Sequence, residues 1–128
     1  MDQKQHKILI IDDDPFILDM YVLKFKEMNY AVLTAADGKS GLAKIRKEKP
    51  DIVLLDIVLP SLDGFEILQE MAKDPPPRPK IILLTNLGQK EDVARGMRLG
   101  AADYIIKAHF TPSEVANKVK TVLETQKP

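Results

Sequence analysis

Five polar side chains each follow a compact apolar run, and their types suit one chemistry. Asp12 and Asp13 follow the run I-L-I-I, Asp56 follows I-V-L-L, Thr85 follows I-I-L-L, and Lys107 follows Y-I-I. Three carboxylates gathered in one place repel one another, and a divalent cation offsets that repulsion. An all-oxygen donor set with few protein ligands and room for water suits Mg²⁺. A carboxylate beside such an ion can attack phosphorus and form an aspartyl phosphate. A hydroxyl and an ammonium can then hold the oxygens of the phosphoryl group. Taken singly, each residue has an ordinary reading. An aspartate run at a strand end makes a turn and an N-cap, a lone aspartate is solvated, a threonine ends a strand, and a lysine lies at the surface. Their joint placement favours the chemical reading.

That placement depends on the elements between them. Lys7 to Ile11 reads as a strand buried on both faces. Asp14 is a suitable N-cap and Pro15 a suitable first-turn residue. Ile17, Leu18, Tyr21, Val22, Phe25 and Met28 recur at helical spacing, which predicts an amphipathic helix over about 16–28. Ala31 to Ala35 reads as a short strand, and Asp37-Gly38 turns the chain into a helix bearing Leu42, Ala43 and Ile45. Pro50 and Asp51 break that helix. Residues 52–55 form another buried strand, ending at Asp56. A loop through Pro60 and Ser61 leads by Asp63-Gly64 to a helix with Phe65, Ile67, Leu68 and Met71. The segment D-P-P-P-R-P, 74–79, is an extended loop. Lys80 to Thr85 is a fourth strand, and 86–89 a loop. A helix from about Glu91 carries Val93, Ala94, Met97 and Leu99 and stops at Gly100. Residues 102–106 form a fifth strand. Pro112 opens a last helix with Val115, Ala116, Val119, Val122 and Leu123 on one face, and 125–128 are a tail.

Five apolar strands alternating with five helices imply an α/β fold with a parallel sheet covered on both faces. The compact doubly wound arrangement is a five-stranded sheet of order 2-1-3-4-5, a flavodoxin-like (βα)5 fold. Its ligand site lies at the carboxyl ends of the strands, where the first and third strands diverge. Asp12, Asp13, Asp56, Thr85 and Lys107 all fall at those ends. One domain over 1–128 is expected, with its core at about 7–124.

Composition narrows the function. The 128 residues fit a single domain, with 45% hydrophobic and 30% charged residues. Nineteen basic residues balance nineteen acidic ones, so direct nucleic-acid binding by this chain is not expected. With no cysteine, disulfides, thiolate metal sites and cysteine nucleophiles are excluded. The polar start does not read as a signal peptide, and no apolar stretch approaches the ~20 residues of a membrane span. A cytoplasmic protein without a membrane partner is the expectation.

In order along the chain, K-I-L-I-I-D-D-D-P, D-I-V-L-L-D-I-V-L-P-S-L-D-G-F-E, I-I-L-L-T and G-A-A-D-Y-I-I-K resemble receiver domains of two-component response regulators, of the chemotaxis-receiver type. The resemblance runs from about Lys7 to Leu123. It implies a phosphoacceptor at Asp56, a direct Mg²⁺ ligand at Asp13, and Asp12 acting mainly through water. The backbone carbonyl of Val58 is implied as a further metal ligand. It also implies a switch hydroxyl at Thr85, a phosphate-binding Lys107 and a switch aromatic at Tyr104. Pro60 and Gly64 match the loop after the acceptor. The implied donor is a sensor histidine kinase or phosphotransfer protein, and the reader is a downstream effector or an output domain. No output domain follows the last helix, which fits a stand-alone receiver or one cut from a longer protein. Such a domain is a switch and not a turnover enzyme.

The sequence departs from the family pattern at several positions. Ala108 stands where proline usually follows the site lysine and where the bond is commonly cis. A cis bond before a non-proline residue costs ~2.5–4 kcal/mol, so a trans Lys107–Ala108 bond is expected, or else a strained cis bond. Asn86 replaces a smaller residue beside Thr85 and narrows access. Val58 and Leu87 flank the site and are apolar, so neither positions a water for hydrolysis. Three alternatives remain. A haloacid-dehalogenase-type phosphatase would need an acid where Val58 stands. A flavin or nucleotide carrier would need a phosphate cradle in the first loop in place of aspartates. A receiver-like adaptor that never takes phosphate is favoured only by Ala108.

Overall fold

The branched apolar runs form the strands of one sheet. The structure, a computed structural model, describes residues 5–86 and 90–125. Its elements are β1 (Lys7–Ile11), α1 (Pro15–Glu27), β2 (Ala31–Ala35), α2 (Gly38–Glu48), β3 (Ile52–Asp56), α3 (Gly64–Met71), β4 (Lys80–Thr85), α4 (Lys90–Arg98), β5 (Asp103–Ile106) and α5 (Pro112–Glu124). All neighbouring strands pair in parallel, in the order β2-β1-β3-β4-β5. The expected architecture is the one observed.

Alternate side chains of each central strand enter two separate cores, which is why those strands are apolar throughout. On one face Leu9, Ile11, Val53, Leu55 and Leu83 meet Leu42 and Ile45 of α2 and Phe65, Ile67 and Leu68 of α3. On the other, Ile8, Ile10, Leu54, Ile82 and Ile105 meet Tyr21 and Phe25 of α1 and Val115, Ala116 and Val119 of α5.

Local signals set the helix starts. Asp14 accepts from Phe16 N at 2.9 Å and Asp37 accepts from Ser40 N at 3.2 Å. Asp63 with Glu66, and Thr111 with Glu114, form reciprocal capping boxes. Within the 74–79 loop, Arg78 Nη2 donates to Asp74 O at 2.7 Å and its Nε to Met71 O at 3.0 Å, satisfying carbonyls at the end of α3. The Pro76–Pro77 bond there is cis, and the Lys107–Ala108 bond is trans, as the cost of a non-proline cis bond requires.

Some expectations are corrected. The first helix begins at Pro15, a residue earlier than its apolar pattern, and Asp56 is the last residue of its strand. A short 3₁₀ turn over Lys107–His109 follows β5. The fourth helix ends at Arg98, short of Gly100, and it does not face the sheet through Met97, which is 39% exposed. Gly96 is its buried residue, and a Cβ there would lie 2.1 Å from Leu83 Cδ1. The hydrogen of glycine lets the helix backbone come down onto the strand. Of the expected 86–89 loop, residues 87–89 lie outside the described residues, as do 126–128 of the tail.

Phe25 is fully buried, and its ring meets Tyr30 edge-on at 5.4 Å. Phe25→Ala is expected to lower unfolding free energy by about 3–5 kcal/mol in urea denaturation. A loss below about 1 kcal/mol would mean that the second core closes over the gap.

Candidate functional site

Strand register brings the acidic residues together. Ile11 pairs with Leu55, so the next residues, Asp12 and Asp56, emerge side by side at the carboxyl edge of the sheet. Asp12 is fully buried and Asp56 is 5% exposed, while Asp13 faces solvent. One carboxylate oxygen from each of the three lies within 4.8 Å of the others.

The two buried carboxylates are held alike. Oδ1 of Asp12 accepts from Asp14 N at 2.9 Å, and Oδ1 of Asp56 accepts from Val58 N at 3.2 Å. Both are local turns in which an aspartate binds the amide two residues on. The second oxygens face one cation. Lys107 Nζ lies 2.7 Å from Asp12 Oδ2 and 2.9 Å from Asp56 Oδ2. Lys107 issues from the 3₁₀ turn beyond β5, three strands from β1, so its long side chain crosses the sheet end to reach Asp12.

Electrostatics follow from that crowding. Burial pushes the Asp56 carboxyl up, Lys107 opposes this, and the Asp12 charge adds to it, leaving Asp56 above the ordinary carboxylate value. Burial alone would lower the Lys107 ammonium, but its contacts with Asp12 and Asp56 win and hold it above its usual value. Asp13 adds a third carboxylate, so the site carries excess negative charge facing solvent. Hard oxygen donors in excess of one ammonium fit a small divalent cation.

The other sequence-selected residues sit around this centre. Thr85 ends β4, 8% exposed, one residue beyond Leu84, the register partner of Asp56. Val58 turns its side chain outward, 74% exposed, while its amide serves Asp56. Asn86 is exposed at the end of β4, and Leu87 lies outside the described residues. Tyr104 is on β5, 39% exposed. Lys107, implied by the resemblance to bind phosphate, also forms an ion pair with Asp12 that no local pattern reveals. Its only signal in the sequence is that two buried acids at adjacent strand ends need a shared cation.

Residues 8–120 match the model of the response regulator receiver domain family. The ycf27 protein of Guillardia theta is 39% identical over 121 residues, covering 94% of this chain and 46% of that protein. The alkaline phosphatase synthesis transcriptional regulatory protein PhoP of Bacillus subtilis is 38% identical over 117 residues, covering 91% of this chain and 48% of PhoP. The chain thus spans about half the length of these curated relatives. Among solved structures, a CheY-like response regulator receiver domain protein from Methanospirillum hungatei superposes with a TM-score of 0.87 at 35% identity, covering 94% of this chain and 95% of that one.

A carboxyl raised by folding adds stability that is present in acid and lost as pH rises through its folded value. Asp56 is such a group, and Asp56→Asn removes that loss. With divalent cations chelated, Asp56→Asn is expected to resist urea better than the native chain at pH 7. The advantage should shrink as pH falls through the carboxylate range. An advantage equal at all pH values would assign the effect to packing.

Proposed function

The chain belongs to the response regulator receiver domain family, and from that premise we propose that it accepts a phosphoryl group on Asp56 with Mg²⁺ bound beside it. The observation that carries this reading is the convergence of three carboxylates within 4.8 Å with Lys107 spanning two of them. Asp13 and Asp56 would hold the ion directly, Asp12 through water, and the Val58 carbonyl would add a ligand. When bound, Mg²⁺ neutralises the carboxylates and the oxygens of the incoming phosphoryl group.

The donor is a phosphohistidine on a sensor kinase or phosphotransfer protein. A lone pair of the Asp56 carboxylate forms the new O–P bond as the P–N bond breaks, and the electron pair leaves with the imidazole nitrogen. Lys107, already 2.9 Å from Asp56 Oδ2, is placed to pair with the transferred oxygens. Thr85 supplies a hydroxyl from the next strand end. A phosphoryl group brings a charge of about −1.5 to −2, which draws Lys107 and Thr85 toward it and biases the ends of β4 and β5. Tyr104, half-exposed in this state, then turns inward. The altered surface is read by an effector protein or by an output domain on the same polypeptide. The lengths of ycf27 and PhoP leave room for the second arrangement. Among the described residues no helix is long and apolar enough to cross a membrane. The chain is a switch and does not turn over substrate.

Intact mass after incubation with Mg²⁺ and a small acyl phosphate tests the reading. The native chain is expected to gain one phosphoryl group and Asp56→Asn none. No gain by the native chain despite bound Mg²⁺ would favour the adaptor reading. Mg²⁺ binding has its own check. At roughly a hundredfold excess over Kd the ion should stabilise the native chain by about 2.7 kcal/mol, read as a rise in Tm, and Asp13→Asn should lose most of that rise. The exposed Val58 side chain beside the acceptor is apolar and orients no water, so the phosphoryl group is expected to be long-lived. Val58→Asn should shorten its lifetime in a mass time course, and an unchanged lifetime would remove position 58 from the explanation.

A further inference from the structure

The loop between Asp56 and α3, residues 57–63, carries the Val58 amide and carbonyl, yet the Val58 side chain is 74% exposed and does not anchor it. The base of the loop is closed by Gly64 N donating to Ile57 O at 2.8 Å. A Cβ on Gly64 would come within 2.7 Å of Asp56 O, so the chain is drawn tight there. Leu59 and Leu62 pack partly against the core.

The outer side of the loop is stitched to the first turn of α2. Ser61 Oγ donates to Asp37 Oδ2 at 2.8 Å and accepts from Lys39 N at 3.0 Å. Gly38 N donates to Pro60 O at 3.0 Å. A Cβ on Gly38 would fall 1.8 Å from Leu62 O, so the two backbones touch. Ser61 itself has φ +67°, a left-handed conformation that serine rarely adopts. The hydrogen bond from Ser61 is the chief reason the Asp37 carboxyl lies below its ordinary value. A disfavoured backbone persists where its surroundings enforce it, and such positions cluster at functional sites.

We propose that Asp37 and Ser61 are positioning residues that set the height of the 57–63 loop, and with it the Val58 carbonyl, relative to the carboxylates of Asp13 and Asp56. This rests on the phosphoacceptor reading above. Neither residue touches the reacting groups. They act through the loop, by which the first turn of α2 would bear on the metal site.

The test is the Mg²⁺ dissociation constant by calorimetry, together with the rate of phosphoryl uptake at limiting and saturating Mg²⁺. Ser61→Ala removes both hydrogen bonds of the hydroxyl and is expected to weaken Mg²⁺ binding about three- to tenfold, part of their combined worth, and to slow uptake at limiting Mg²⁺ while leaving the saturated rate near native. Ser61→Gly relieves the backbone conformation, so it should keep or raise Tm while binding Mg²⁺ as weakly as Ser61→Ala. Asp37→Asn retains an acceptor for the Ser61 hydroxyl and should stay within about twofold of native affinity, and Asp37→Ala/Ser61→Ala should be no weaker than the weaker single variant. If Ser61→Ala and Ser61→Gly bind Mg²⁺ like the native chain, the positioning role is overturned and the phosphoacceptor reading stands. If the native chain itself binds no Mg²⁺ and gains no phosphoryl group, both readings fall.

Discussion

Two carboxylates buried at adjacent strand ends must be electrically compensated, and one ammonium does so in part. Lys107 reaches across the sheet end to lie 2.7 Å from Asp12 and 2.9 Å from Asp56. Ion pairs of this kind seldom stabilise a protein more than apolar side chains of the same volume would. Their presence here therefore points to chemistry. Compensation is also incomplete, because Asp13 adds a third carboxylate at the solvent side. The site is left with a standing attraction for positive charge, and its ammonium is already beside the proposed acceptor.

The rest of the fold serves to hold those charges in register. Parallel pairing fixes Ile11 opposite Leu55 and Thr85 opposite Ile106, so the polar residues that follow leave the sheet at nearly one level. Two apolar cores, one on each face, resist slippage, since a shift of one residue would exchange their contents. Each helix that leaves the carboxyl edge after β1, β2 and β3 starts with an aspartate cap, Asp14, Asp37 or Asp63. Asp14 lies immediately beside the site. The amides of Asp14 and Val58 serve the two buried carboxylates directly, so turn formation and charge placement are one local event.

Much of this is legible in the residues. Strands β1, β3 and β4 announce themselves because they are buried on both faces and therefore apolar at every position. The proposed site residues follow from the rule that parallel sheets place polar chemistry at the ends of such runs, and Asp12, Asp13, Asp56, Thr85 and Lys107 all lie there. The trans bond at Lys107–Ala108 follows from the cost of the alternative. Less legible is anything decided by close approach. The apolar pattern of α4 suggests Met97 as a core residue, whereas Gly96 makes the contact, because a helix pressed against a strand has no room for a side chain there. The Asp37–Ser61 contact joins residues 24 apart in sequence, and nothing in their local patterns couples them. The partner of a long, flexible lysine is likewise set by tertiary distance and not by periodicity.

Helix α4 meets the sheet through its buried glycine. It rests on Leu83 through the hydrogen atom of Gly96, and the guanidinium of Arg95 lies over the Phe65 ring at 4.3 Å. Any larger side chain at position 96 would lift the helix off the strand, so the distance between α4 and β4 is set at that one position.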